Sequence, residues 1–172
     1  MLESKTINMR LVDEKDAEFI LSLRLDDTYN KFLSKVSPDI DSQREWIKSY
    51  KLDELNKKQF YFIIERKDGT PCGTVRVYDM KDMSFCWGSW ILNENKTRFA
   101  AIESAIMVYD FGFNILNYKK SHFEVIKDNT KVVSFHKKFG AIQVHEDDVN
   151  YYFEISKESV ENSKKKFKAL YE

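Results

Sequence analysis

The sequence is poor in glycine (5), proline (2) and cysteine (2) across 172 residues. So little glycine and proline excludes collagen-like and low-complexity chains, and no Gly/Ser or Pro-rich stretch marks a linker. The two cysteines, Cys72 and Cys86, sit in no CxxC and beside no paired histidines, which argues against a metal site. Two free thiols in a reducing compartment are expected instead. Charge of one sign is also lacking: 28 Lys+Arg balance 28 Asp+Glu, for a net charge of zero. That excludes the strongly basic domain of a nucleic-acid binder and a solvating acidic tail. No apolar run approaches the roughly 20 residues of a membrane span. The N-terminus, MLESKTINMRLVDEKD, has no signal-peptide core, so a cytoplasmic protein with neither nucleic acid nor membrane as partner is expected.

What the chain has in quantity is aromatic side chains, 15% of residues, as a well-packed globular chain would. Thr6–Val12 alternates polar and apolar residues, as a first strand does. Asp13 or Asp16 caps a helix carrying Phe19, Ile20, Leu23 and Leu25, and Asp41 and Ser42 cap one carrying Trp46, Ile47, Tyr50 and Leu52. Gln59–Arg66, Cys72–Met80 and Phe85–Leu92 read as a three-stranded meander, with Asp68-Gly69 as a hairpin signal. Gly88 inside the third strand points to a bulge or a close backbone approach. By alternation Trp87 and Trp90 face opposite sides of that strand, one in the core and one free to stack on a sugar or base.

Phe99, Ile102, Ile106, Tyr109, Phe113 and Leu116 are spaced 3, 4, 3, 4, 3, one apolar stripe on a helix of about five turns. Asn117 ends that helix in a left-handed conformation. A strand over Lys120–Ile126 follows. A short helix then carries Val132, Phe135, His136 and Phe139 and stops at Gly140. Strands at Ala141–Val144 and Tyr151–Ile155 come next, and 157–172 form a terminal helix. The order predicts one domain, 1–172, of the α/β class with a mixed α+β sheet. Tyr151–Ile155, read as an exposed last strand, would permit a homodimer.

The run from Phe85 to Ala141 resembles the cofactor-binding core of the GNAT superfamily of N-acetyltransferases. Gly88-Ser89-Trp90-Ile91-Leu92, the loop Asn93–Arg98, the long helix and DNTKVVSFHKKFGA carry the likeness. Leu21–Leu33 is similar to the subgroup that acetylates amino groups on nucleotide-linked sugars. The resemblance implies an antiparallel meander followed by a strand-helix-strand-helix core with splayed central strands, and acetyl-CoA as co-substrate. Trp90, Ile91 and Leu92 would hold its pantetheine. Lys96, Thr97, Arg98, Phe99, Ala100 and Ala101 occupy the phosphate loop, with Phe99 where the family carries glycine. Asn129 is either a helix cap or a pantetheine amide partner, and Phe135 flanks the cofactor.

His136 stands where the family places its general acid, and a histidine donates a proton near neutral pH. The family's Glu on the third meander strand aligns with Cys86, a thiol read as structural. Glu124, which shares a strand face with His122, is the candidate general base, with Asp79 and Asp82 as alternatives. Arg24, Asn30, Tyr78 and Trp87 are candidates to face the acceptor, the arginine because its forked donors suit phosphate or carboxylate. The expectation is acetyl transfer to the primary amine of a small molecule, with a nucleotide-linked amino sugar first in mind. Acetylation of a protein N-terminus or amino acid is the second reading, and a non-catalytic acyl-CoA-binding module the third. The Lys164–Lys166 run reads as a solvated helix face.

Overall fold

The computed structural model describes all residues, 1 to 172. Its strands are β1 (Leu2–Glu3), β2 (Ile7–Leu11), β3 (Phe60–Arg66), β4 (Pro71–Lys81), β5 (Ser84–Leu92), β6 (Lys120–Ile126), β7 (Ile142–Glu146) and β8 (Asn150–Ser156). They form one sheet in the order β1-β2-β3-β4-β5-β6-β8-β7. Neighbours are antiparallel throughout except β5 and β6, which are parallel. The helices are α1 (Ala17–Arg24), α2 (Ile40–Leu55), α3 (Ala100–Asp110), α4 (Thr130–Phe139) and α5 (Lys157–Tyr171). This is the mixed α/β class that the element order predicts.

Strand alternation sorts the apolar residues onto two faces. Tyr61 and Ile63 of β3 join Val12, Ala17, Ile20, Ile47 and Tyr50 in a small core under α1 and α2. Phe60, Phe62 and Ile64 turn the other way into the main core, with residues of α3, α4 and α5. Asp13 and Asp16 form a reciprocal capping box on the turn before α1. Asp16 also takes a two-pronged bond from Arg10, at 2.8 and 2.9 Å.

Three expectations need correction here. Helix α2 is capped by Asp39, whose carboxylate accepts from the Asp41 and Ser42 amides, so the cap lies two residues before Asp41. Leu25 and Leu52 are exposed, because the buried face of α2 follows Gln43, Ile47 and Tyr50. The edge strand is β7, with all five residues exposed, while Tyr151–Ile155 lies inside β8 between β6 and β7.

The long helix is more buried than one stripe implies. Besides Ala100, seven consecutive positions run buried from Glu103 to Tyr109, with α5 packed on the outer side. At Phe111–Ile115 it widens into a π turn, with the Leu116 amide donating to the Phe111 carbonyl at 2.9 Å. The wider turn lets Phe111 reach Phe60 and Phe62 while Phe113 reaches Phe85. Asn117 follows at φ 63°, the left-handed stop that the sequence predicts. Gly140 ends α4 at φ 109°, where any Cβ would be strained. Helix α5 is anchored by Val160 and Ser163, with Phe167 and Tyr171 against the core. Lys164 is not free as the solvated-face reading had it. It is half-buried and pairs with Asp110 at 2.9 Å.

Candidate active site

β5 and β6 pair at only two positions, Ser84 with Lys120 and Phe85 with Ser121, and then part. From Cys86 to Leu92, β5 therefore has no strand partner on that side. A cavity of about 500 Å³ opens where they diverge. Both lips carry main-chain groups that an extended ligand can pair with, as an added strand would.

At Ser89 the β5 backbone turns left-handed, φ 48°, and the register with β4 slips between Thr74 and Arg76. The Thr74 hydroxyl holds the Ser89 carbonyl at 3.2 Å. This bulge resets the alternation. Trp87 and Trp90 consequently share one face, their rings 5.1 Å apart, which corrects the opposite-face reading. Trp87 is buried against Tyr109 and Phe123, so it forms the cavity floor instead of an acceptor wall. The Trp90 indole N–H donates to Ser104 Oγ at 3.1 Å, and its ring meets Phe135 at 5.1 Å. Gly88 leaves room for Tyr78, whose hydroxyl would lie 3.0 Å from an added Cβ.

His136 projects from α4 into this aromatic box. Its ring lies 4.2 Å from Phe123 and 5.3 Å from Trp87, and only 4% of the residue is exposed. Its Nδ1 is buried and has no hydrogen-bond partner. Burial alone pushes its pKa down to about 3, so the ring is neutral near pH 7. His136 thus stands in the cavity wall as a neutral ring.

Glu124 sits on the opposite face of β6, exposed, where this cavity adjoins a second one over β4, β6 and β8. In the second cavity His122 bridges two residues: Ser84 Oγ lies 2.6 Å from Nδ1 and Asp79 Oδ2 lies 2.9 Å from Nε2. The His122 bond holds the Asp79 carboxyl below its ordinary range despite some opposing burial. Asp79 is thus engaged, and Asp82 occupies a left-handed turn with Met83. The Cys86 thiol is buried and pushed up to about 11 by that burial, consistent with a structural thiol.

The predicted residues divide in two. Arg24, Tyr78, Trp87, Trp90, Glu124, Asn129 and His136 all line the central cavity. Asn129 precedes α4 but makes no side-chain cap bond, which corrects the capping reading and leaves its amide to the cavity. Asn30 does not reach the wall and bonds weakly to Asp27; its neighbour Tyr29 lines the cavity instead. Ile91 and Leu92 continue β5 beyond the cavity, paired with Thr74 and Gly73. Lys96 and Arg98 are exposed before α3, and Ala100 and Ala101 open its first turn. Thr97 faces inward, its hydroxyl 2.6 Å from that of Thr6. Phe99 has φ −110°, a conformation open to any residue, so replacing glycine there strains nothing. Arg98 lies over its ring at 5.2 Å.

Sequence reading missed Arg76 and the buried Glu103. Arg76 stacks on Tyr78 at 4.2 Å and lines the cavity. Its place on β4, two residues before Tyr78, was the available signal. Glu103 accepts from Ser4 Oγ at 2.9 Å, the Thr6 amide at 2.7 Å and the Thr6 hydroxyl, and so ties the start of the sheet to α3.

The two parallel central strands of a mixed sheet thus part over an aromatic cavity, beside the first turn of a long helix. The family model for the acetyltransferase (GNAT) domain matches residues 6–142. The chain belongs to this family and is an N-acetyltransferase. It is 50% identical to a structure described as apo FdhC, a nucleotide-linked sugar GNAT, over 97% of this chain and 96% of that one, with a TM-score of 0.90. It also shares the fold of spermidine N-acetyltransferase from Vibrio cholerae in complex with CoA and spermine. There the identity is 17%, the coverage 91% and 98%, and the TM-score 0.77. No curated protein matches the chain. No helix is long and apolar enough to cross a membrane.

Proposed function

We propose that the chain moves an acetyl group from acetyl-CoA to the primary amine of a small molecule, and that this amine belongs to a nucleotide-linked sugar. The observation that carries the reading is the parting of β5 and β6 over the cavity. The 50% identity to a nucleotide-linked sugar GNAT supports the acceptor class. The residues present fit acetyl-CoA. The free edge of β5 from Cys86 suits the amides of pantetheine, and the buried Nδ1 of His136 lacks a partner. Lys96, Arg98 and the opening amides of α3 supply positive potential for phosphates.

When bound, acetyl-CoA supplies an activated acetyl thioester. Main-chain N–H groups of Gly88–Trp90 stabilise negative charge on the reacting carbonyl oxygen. Glu124, at the acceptor side of the gap, takes the proton of the ammonium through a carboxylate oxygen. His136 stays neutral and offers one ring N–H as a hydrogen-bond donor to the sulfur. Trp87, Trp90, Phe123 and Phe135 keep water from that end. Free CoA release with nucleotide-linked amino sugars tests the reading. Preference for peptides or amino acids would instead support the second reading. If two copies pair, the exposed edge of β7 is the place for it.

A further inference from the structure

A third cavity, about 420 Å³, lies between α1, the segment 34–37, the start of α2, and Tyr61 of β3, Arg76 of β4 and Ser89 of β5. It shares Arg24, Ser34, Arg76 and Ser89 with the active-site cavity, so the two are continuous. Its walls carry three cations, Arg24, Lys35 and Arg76, and no carboxylate. In a chain with zero net charge such a concentration of one sign is local and built.

The arginines are held and unneutralised. Elsewhere Arg10, Arg44 and Arg66 pair with carboxylates. Arg24 is instead fixed by Ser34, donating to its carbonyl at 3.0 Å and its hydroxyl at 2.9 Å. Arg76 is fixed by stacking on Tyr78. Arg24 Nε, Arg76 Nε and the Tyr61 hydroxyl are all buried without a partner. Unpartnered buried donors are costly and mark a place where an acceptor-rich ligand belongs. On the wall, Trp46 stacks on Tyr50 at 5.8 Å, meets Tyr61 edge-on at 5.7 Å, and remains 38% exposed.

We propose that this basin binds the diphosphate of the acceptor, with the nucleobase against the partly exposed Trp46, and so orients the amino sugar toward Glu124. The inference rests on the acetyl-transfer reading above and assigns the part of the cleft that recognises the carrier. Forked guanidinium donors match the paired oxygens of a diphosphate. CoA also carries phosphates, so the test must separate the two sources.

Uridine diphosphate and thymidine diphosphate are titrated by calorimetry onto protein already saturated with CoA. Binding that persists under CoA, and that weakens about tenfold or more in Arg76→Gln, is expected. Lys35→Gln, on an exposed segment, weakens it less and serves as the variant that leaves folding intact. Trp46→Ala weakens nucleoside diphosphates more than inorganic pyrophosphate. No binding at millimolar nucleotide, displacement by CoA, or indifference to Arg76→Gln overturns the proposal. Turnover distinguishes the two readings. If a nucleotide-linked amino sugar is acetylated with a KM that Arg76→Gln leaves unchanged, the basin assignment fails while acetyl transfer stands. If the diphosphate binds through Arg76 and no amino-sugar conjugate is acetylated, the acceptor reading fails while the basin stands.

Discussion

Acidification should destabilise the native chain through His136 by an amount that one substitution removes. The ring is neutral in the fold because burial pushes its pKa to about 3, while an exposed histidine titrates near 6.5. The unfolded chain therefore binds an extra proton between those two values, and stability falls as pH drops through that window. The contribution is fully retained above about pH 6.5 and fully lost below about pH 3. From pH 7.5 to pH 4.5 the loss from this residue is about 2.6 kcal/mol. For a chain of this size that is a fall in Tm of about 5–10 °C. His136→Phe keeps an aromatic ring in the box and removes the titration. Urea unfolding at both pH values, for both proteins, isolates the effect, because every other titrating group is shared. The substitution should shift the wild-type minus variant stability difference by about 2.6 kcal/mol, in favour of the variant at low pH. Equal losses in the two proteins would refute a neutral, desolvated His136.

Glu124→Gln should lower kcat by about 100-fold, with thermal stability unchanged. Gly112→Ala should destabilise by about 1–3 kcal/mol in urea unfolding. Its methyl would fall 2.2 Å from the buried Phe85 ring. Glu103→Ala leaves the Ser4 hydroxyl and both Thr6 donors without their acceptor. A loss of about 1–3 kcal/mol is expected by the same measurement. Acetyl-CoA at 100 times its Kd should raise stability by about 2.7 kcal/mol, read as a Tm shift.

Much of the fold was legible because its signals are local. Lys120–Ile126 matches β6, and Asp68-Gly69, Asn117 and Gly140 mark the hairpin and helix ends where they were expected. What was not legible depends on non-local geometry. The faces of Trp87 and Trp90 follow strand alternation until Ser89 turns left-handed, and Ser89 is not the residue such a turn favours. Edge position cannot be read from a strand's own sequence, so β8 passed for the outer strand although β7 lies outside it. In the site, His136 was found by its place in the motif, but its neutrality comes from aromatic neighbours on three other elements, β5, β6 and β8. Arg76 escaped notice because nothing in its local sequence shows that no carboxylate approaches it.

The most direct test of acetyl transfer within the parted strands is the rate of free thiol release from acetyl-CoA. It is followed with a set of nucleotide-linked amino sugars, the corresponding free amino sugars, spermidine and short peptides. Turnover with a nucleotide-linked amino sugar, well above the other amines and reduced by Glu124→Gln, is the predicted result. Absence of thiol release with every nucleotide-linked amino sugar, from protein that binds acetyl-CoA, would contradict the account.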